Sequence, residues 1–286
     1  MKDLLTLYKF YSVHGTEDEK NICDWIEKRI KELTGFEDIH RVNNTLWRFK
    51  EGNKVLLSAH LDQVSTNGPA VHFFKNDKGI ITAYNKDWER TSLGADDKNG
   101  VWLILKTLEA CPDIDFIISE GEEVGCVGIK SIENHIKEST ADFAIVLDRK
   151  GNTDILKGGG SDVYCESLAY NLKNFLNKEP YNSYIVTTGT LSDTRVICKY
   201  IESVNMCVNY EDAHSKTEST DYEALEITLS NLGSIIDFFI HYPAPPEDYC
   251  VKEYKSTYKS IVSSFNKKSK DYDDDYEWRK YYGGLY

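Results

Sequence analysis

No stretch of about eighteen uninterrupted apolar residues occurs in the sequence, so it holds no candidate membrane-spanning helix. Its opening residues, MKDLLTLYKFYSVHG, break their apolar positions with charges and lack a small-residue cleavage site. That pattern argues against a secretory leader and leads us to expect a cytoplasmic protein. There is no C-x-x-C pair. The seven cysteines (Cys23, Cys111, Cys126, Cys165, Cys198, Cys207 and Cys250) are widely spaced and odd in number, which fits buried thiols better than a disulfide frame or a zinc knuckle. Clusters of lysine and arginine are scarce and the formal net charge is -13, so a phosphate backbone is repelled and no nucleic-acid partner is expected. The G-x-S-x-G elbow is missing and no cysteine has an evident histidine partner, which disfavours a serine or cysteine nucleophile.

What is present is an alternation of helical and strand patterns. Thr16 followed by Glu19 has the form of a capping box, and Ile22, Trp25, Ile26, Ile30 and Leu33 recur at helical spacing, predicting an amphipathic helix that ends near Gly35. Strand-like runs follow over 45–50 and 54–60, separated by a Glu51-Gly52-Asn53 turn, and a hairpin is expected around 76–79. Next come a helix over 98–110, a strand over 115–119, a helix near 129–136 and a strand over 143–147. Further helical and strand patterns lead to a long helix over 221–241. The expected fold class is α/β: a single three-layer α/β/α domain over residues 1–242 with a mostly parallel mixed sheet. Pro243-Ala244-Pro245-Pro246 cannot continue the last helix. Residues 243–286 therefore read as a separate tail rich in Tyr, Asp and Lys, with an amphipathic helix over 249–265 and a remainder, including Asp273 to Asp275, expected to be either mobile or dependent on a partner.

Five short segments at predicted strand ends carry the chemistry, where open α/β sheets build their sites. In Ser58-Ala59-His60-Leu61-Asp62, strand periodicity sends His60 and Asp62 to the same side, so the carboxylate can support the imidazole. Gly94-Ala95-Asp96-Asp97-Lys98-Asn99-Gly100 sets adjacent carboxylates before a helix, where they repel unless a cation neutralises them or one caps the helix. The run 116–119 leads into Glu120-Gly121-Glu122-Glu123-Val124-Gly125, whose adjacent glutamates diverge, so that one can bind metal while the other faces substrate. Asp148 ends the apolar run 144–147, and His214-Ser215-Lys216-Thr217-Glu218 follows the strand over 203–208. Each segment alone also reads as a cap, an acidic turn or a surface histidine.

Taken in order over about residues 13–239, these motifs (H-x-D, A-D-D-K-x-G, E-E-x-G, a strand-end aspartate, H-S-x-x-E) resemble the co-catalytic zinc exopeptidases. That superfamily includes tripeptidase T, glutamate carboxypeptidases, dipeptidases and aminoacylases, with lid-less zinc aminopeptidases as close relatives. The resemblance implies a zinc-exopeptidase-like, phosphorylase/hydrolase-like fold. It also implies that His60 and Asp148 bind one Zn²⁺, that Glu123 and His214 bind a second, and that Asp96 bridges the two. Glu122 would be the general base, Asp62 the partner of His60, and Asp96-Asp97 a cis peptide. Oxygen and nitrogen ligands suit two Zn²⁺, and Mn²⁺ or Co²⁺ fit the same set.

Many relatives insert a lid after the strand aspartate, whereas only 149–192 separate Asp148 from Asp193 here, so the catalytic core alone is expected. The usual carboxylate clamp then has no host. Arg149 and Arg195 are candidates for that role, Tyr210 for an oxyanion donor, and Gly158-Gly159-Gly160 for close approach of a substrate backbone; each also has a purely structural reading. The function expected is hydrolysis of a peptide bond in small peptides, by an aminopeptidase or a di- or tripeptidase. The alternatives are an amidohydrolase acting on N-acylated amino acids, and a catalytically silent metal-bound scaffold whose tail recruits a protein partner.

Overall fold

Four runs dominated by apolar residues, each ending in a polar or thiol side chain, form the centre of the molecule. The computed structural model describes residues 1–157, 166–180, 182–189 and 192–241. The tail from 242 onward, with the helix expected over 249–265, lies outside the described residues, as do Gly158-Gly159-Gly160. Along the chain the elements are α1 (Lys2–Leu7), α2 (Glu17–Thr34), β1 (His40–Val42), β2 (Thr45–Arg48), β3 (Val55–His60), β4 (His72–Lys75), β5 (Ile80–Tyr84), β6 (Arg90–Thr91), α3 (Ala95–Ala110) and β7 (Asp115–Ser119). They continue with α4 (Val127–Ser131), α5 (Glu133–Glu138), β8 (Phe143–Arg149), β9 (Asp154–Lys157), α6 (Glu166–Leu176), β10 (Ile185–Thr187), α7 (Thr194–Ile197), β11 (Glu202–Cys207), β12 (Tyr210–Glu211), β13 (Ser219–Asp221) and α8 (Tyr222–His241).

The main sheet runs β1-β2-β7-β3-β8-β11-β9-β10. Its centre, β7-β3-β8-β11, is parallel, while β2 joins β7 and β9 joins β11 antiparallel. The mostly parallel mixed sheet expected from the alternation is therefore present, with helices on both faces. Period-two side chains divide the core. Leu57, Phe116, Ile118, Ile145 and Leu147 face α1, α2, α3 and α8, whereas Leu56, Ile117, Ala144 and Val146 face α4, α5 and α7.

Several local expectations change. The two strand runs expected around the Glu51-Gly52-Asn53 turn are present as β2 and β3, with β7 inserted between them in the sheet. β3 is buried on both faces, so it takes a central slot whose partners arrive parallel through helical crossovers. The helix expected near 129–136 is two short helices divided at Ile132. α3 starts at Ala95, earlier than 98, with non-helical backbone at Asp96 and Asp97. A second sheet, β12-β13-β5-β4 with β6 on β5, contains the hairpin expected around 76–79 as β4 and β5, while its other strands went unforeseen because they are only two or three residues long. The α2 start is as predicted, with the Glu19 N–H donating to Thr16 Oγ1 at 3.3 Å and Gly35 closing the helix at φ 72°. No helix of the described residues is long and apolar enough to cross a membrane.

α3 carries the Asp96 segment and is buried along nearly its whole length. Gly100 lets it seat against β8: a Cβ there would lie 2.2 Å from the Leu147 carbonyl and 2.6 Å from the Asp97 carboxylate oxygens. Gly100→Ala is expected to destabilise the fold by about 1–3 kcal/mol, the usual cost of overpacking a rigid contact. Denaturant unfolding measures this, and an unchanged midpoint would contradict the packing described.

Candidate metal centre

The five strand-end residues converge. His60 is the last residue of β3, Glu123 follows β7, Asp148 lies near the end of β8, and Asp96 stands at the start of α3, joined to Asp97 by a cis peptide bond. His214 reaches them from the loop between β12 and β13, on left-handed backbone at φ 61°. His60 Nε2 lies 3.3 Å from Asp96 Oδ1 and 3.6 Å from Asp148 Oδ1. His214 Nε2 lies 3.2 Å from Asp96 Oδ2 and 2.8 Å from Glu123 Oε1. Asp96 thus turns one carboxylate oxygen to each histidine. Two groups result, His60 with Asp96 and Asp148, and Asp96 with Glu123 and His214, each with its ligand atoms within 4.8 Å of one another.

These separations fit a shared cation. Nitrogen and oxygen donors arranged tetrahedrally at zinc distances stand about 3.4 Å apart. Three of the four contacts above fall within a few tenths of an ångström of that value. The fourth, at 2.8 Å, is within hydrogen-bond distance, yet Glu123 Oε1 is buried and has no aligned hydrogen-bond partner among the described residues. An orphaned acceptor beside a ring nitrogen is the geometry of two lone pairs aimed at a common point.

Asp62 stands behind these groups. It is fully buried, and its Oδ1 lies 3.3 Å from His60 Nδ1. Its carboxylate also accepts the backbone N–H of Glu122 at 3.0 Å and of Glu123 at 3.2 Å. The sequence pointed to the first contact only. Asp62 therefore positions three functional side chains without facing the open side itself. Asp62→Ala is expected to weaken metal binding by about 10–100-fold, the usual cost of losing a ligand's support. Competitive metal titration reads this, and unchanged affinity would contradict the role.

Asp97, its neighbour's twin in the sequence, goes to structural use: its carboxylate accepts the N–H of His60 and of Gly100, both at 3.1 Å, tying β3 to α3. Lys98 turns away, its Nζ donating to the Phe10 carbonyl at 2.6 Å and to Gln63 Oε1. Two supports were missed by sequence reasoning. Glu218 is buried and accepts the N–H of Gly94 at 2.7 Å and of Asp96 at 3.1 Å, holding the Asp96 loop. Asn205 accepts the Asp148 N–H and donates to the Asp148 carbonyl, both at 3.2 Å. A polar residue inside the apolar run of β11 was the available signal.

Negative charge accumulates here. The Asp96 and Glu123 carboxylates close to its ring nitrogen push the His214 imidazole up to about 11. Burial, together with the Asp148 charge, pushes Glu122 up to about 10, and burial lifts Asp148 itself to about 7. Crowded buried carboxylates of this kind call for cations to offset them.

The remaining candidates separate. Tyr210 is 5% exposed, and its phenol lies in the field of Asp96 and Asp148, while burial raises its pKa well above the usual range. Arg149 is committed to Asp154, with Nη2 2.9 Å from Oδ2, and Arg195 is exposed on α7. A cleft of about 800 Å³ opens beside His214, with Asn67, Glu89, Arg90 and Lys216 among its walls.

No protein-family model matches the chain. Among curated proteins, the uncharacterised Bacillus subtilis protein YqjE is 27% identical over 155 residues, a stretch covering 48% of this chain and 39% of that protein's length. Solved structures match over far more of the fold. An aminopeptidase PepT from Bacillus cereus superposes with a TM-score of 0.67 at 17% identity, covering 84% of this chain and 97% of that one. A Staphylococcus aureus tripeptidase gives 0.69 at 16% identity, with coverage of 84% and 98%. The Pyrococcus horikoshii TET1 peptidase gives 0.61 at 14% identity, with coverage of 82% and 98%. The chain has the fold of these peptidases, as the order of its motifs led us to expect.

Proposed function

We propose that the chain is a metal-dependent peptidase that removes residues from small peptides. In this reading two divalent cations, Zn²⁺ by preference of the donor set, are held by His60 and Asp148, by Glu123 and His214, and jointly by Asp96. The observation that carries the proposal is the Asp96 carboxylate, which presents one oxygen to each histidine. Bound there, such a pair supplies Lewis acidity and lowers the pKa of a water molecule into the working range.

The chain's own residues do the rest. Glu122 makes no ion pair among the described residues, and its Oε1 has as its partner the Cys126 thiol at 3.9 Å, so the carboxylate is available to take a proton from the attacking water and return it to the leaving amine. Burial and the Asp148 charge raise its affinity for a proton, and the cations beside it would offset that charge so that it starts ionised and can hold the proton it takes. Asp62 fixes the backbone on which Glu122 stands. Tyr210, kept neutral by burial, is the donor available to a developing oxyanion. The cleft beside His214 has room for a di- or tripeptide.

Residues 1–242 are read as the catalytic domain without a lid, since β9, α6, β10 and α7 account for the described residues between β8 and β11. Residues 243–286 are read as an appended tail that engages a protein partner, and the protein as cytoplasmic. The decisive comparison sets di- and tripeptides and aminoacyl anilides against N-acyl amino acids, using protein loaded with Zn²⁺, Mn²⁺ or Co²⁺. Turnover of the peptides and anilides is expected. Turnover confined to N-acyl amino acids would replace the peptidase reading with an amidohydrolase, and no turnover by protein carrying both ions would leave the scaffold.

A further inference from the structure

Beside the two groups that share Asp96 stands a third cluster of side chains able to hold a metal ion, of which the proposed reaction uses Glu122 alone. Glu122, Cys126 and Asp193 each offer a ligand atom, all within 4.8 Å of one another. They come from three places: Glu122 from the turn after β7, Cys126 from the start of α4, and Asp193 from the residue before α7. Asp193 is 2% exposed. Its Oδ2 accepts a hydrogen bond from Ser119 Oγ, while its Oδ1 is buried with no hydrogen-bond partner among the described residues. The Cys126 thiol also lies within 4.8 Å of that carboxylate, and it contacts Glu122 Oε1 at 3.9 Å. A buried carboxylate oxygen left unpaired beside a thiol and a second carboxylate is an incomplete coordination shell.

We infer that Glu122, Cys126 and Asp193 form a separate site for a thiophilic divalent cation, and that filling it arrests the enzyme. Sulfur and oxygen donors around one tetrahedral zinc stand about 3.5 Å apart, so closing the 3.9 Å contact takes only a small side-chain adjustment. The thiol decides which cations enter: it favours Zn²⁺ and Cd²⁺ over Mg²⁺ and Mn²⁺. On binding, the Cys126 S–H bond is replaced by a sulfur–metal bond and the proton leaves to solvent, with no change of oxidation state. The arrest follows because the cation occupies the Glu122 carboxylate. That consequence rests on the proposed role of Glu122 as general base, whereas occupancy of the site does not.

The test uses the full chain carrying two Zn²⁺. Cd²⁺ is added while bound metal is counted and the near-ultraviolet thiolate-to-cadmium band is followed; in parallel, turnover is measured against excess Zn²⁺ and against excess Mn²⁺. The wild type is expected to take a third equivalent with the band and to lose turnover in excess Zn²⁺ but not in Mn²⁺. Cys126→Ser, which retains a hydrogen-bond donor toward Glu122, is expected to stop at two equivalents, show no band, and tolerate at least about tenfold more Zn²⁺. Asp193→Asn is expected to weaken the third equivalent by a similar factor. A wild type that stops at two ions, or a Cys126→Ser variant that binds the third as before, overturns the site. A third ion bound without loss of turnover overturns the arrest. If no peptide is hydrolysed under any condition but the Cys126-dependent third ion still binds, the site stands and the peptidase reading falls.

Discussion

Glu122→Gln is expected to lower kcat on a good peptide substrate by about 10²–10⁴, the usual contribution of a positioned general base. Gln has the same shape and keeps a hydrogen-bond acceptor, but it cannot accept the proton that the reaction requires. The backbone of residue 122 stays anchored to Asp62 through its N–H, and Glu123 remains in place beside His214. Bound metal and unfolding midpoint should therefore stay near wild type, and KM should move far less than kcat. A variant retaining a tenth or more of wild-type kcat would remove Glu122 from the mechanism. A variant that lost its metal would instead assign Glu122 to coordination.

Asp96→Asn is expected to have a larger structural consequence for the same small change. The carboxylate faces His60 through Oδ1 and His214 through Oδ2, so either orientation of the amide puts an N–H₂ group where one cation needs an oxygen. One of the two positions then presents a donor to a positive charge, and the bridging negative charge is gone. Metal affinity at that position should fall by more than about 100-fold, beyond the cost of losing an indirect support. Turnover should fall with it and should not be restored by the metal concentrations that saturate the wild type. Full occupancy at both positions in this variant would show that Asp96 does not bridge.

Much of the site was legible because three of the proposed ligands sit near the downstream ends of central strands. The apolar runs before His60, Glu123 and Asp148 predicted buried strands, and the parallel sheet brings their downstream ends to one edge. Only the ordered set of motifs was specific; each motif alone had an ordinary structural explanation. Less legible were the groups that hold the ligands. Asp62 serves Glu122 and Glu123 across 60 and 61 residues of chain, and Glu218 reaches Asp96 across 122. Such contacts leave no local period to detect. That one of Asp96 and Asp97 serves the helix start was legible, but which of the two came from the resemblance alone, because it depends on backbone direction at a junction where helical geometry fails. Of the second sheet only the β4-β5 hairpin was legible, because β6, β12 and β13 are two or three residues long, and the place of β7 between β2 and β3 was not, because strand order is set by tertiary pairing that no local pattern encodes.

The most direct measurement is anomalous diffraction at the zinc edge from crystals of the metal-loaded protein. Two peaks are predicted, about 3.5–4 Å apart as in paired-metal sites, on either side of the Asp96 carboxylate. One should lie against His60 and Asp148, the other against Glu123 and His214. A protein saturated with zinc that showed no density between these histidines and Asp96, or one peak touching neither, would contradict the account.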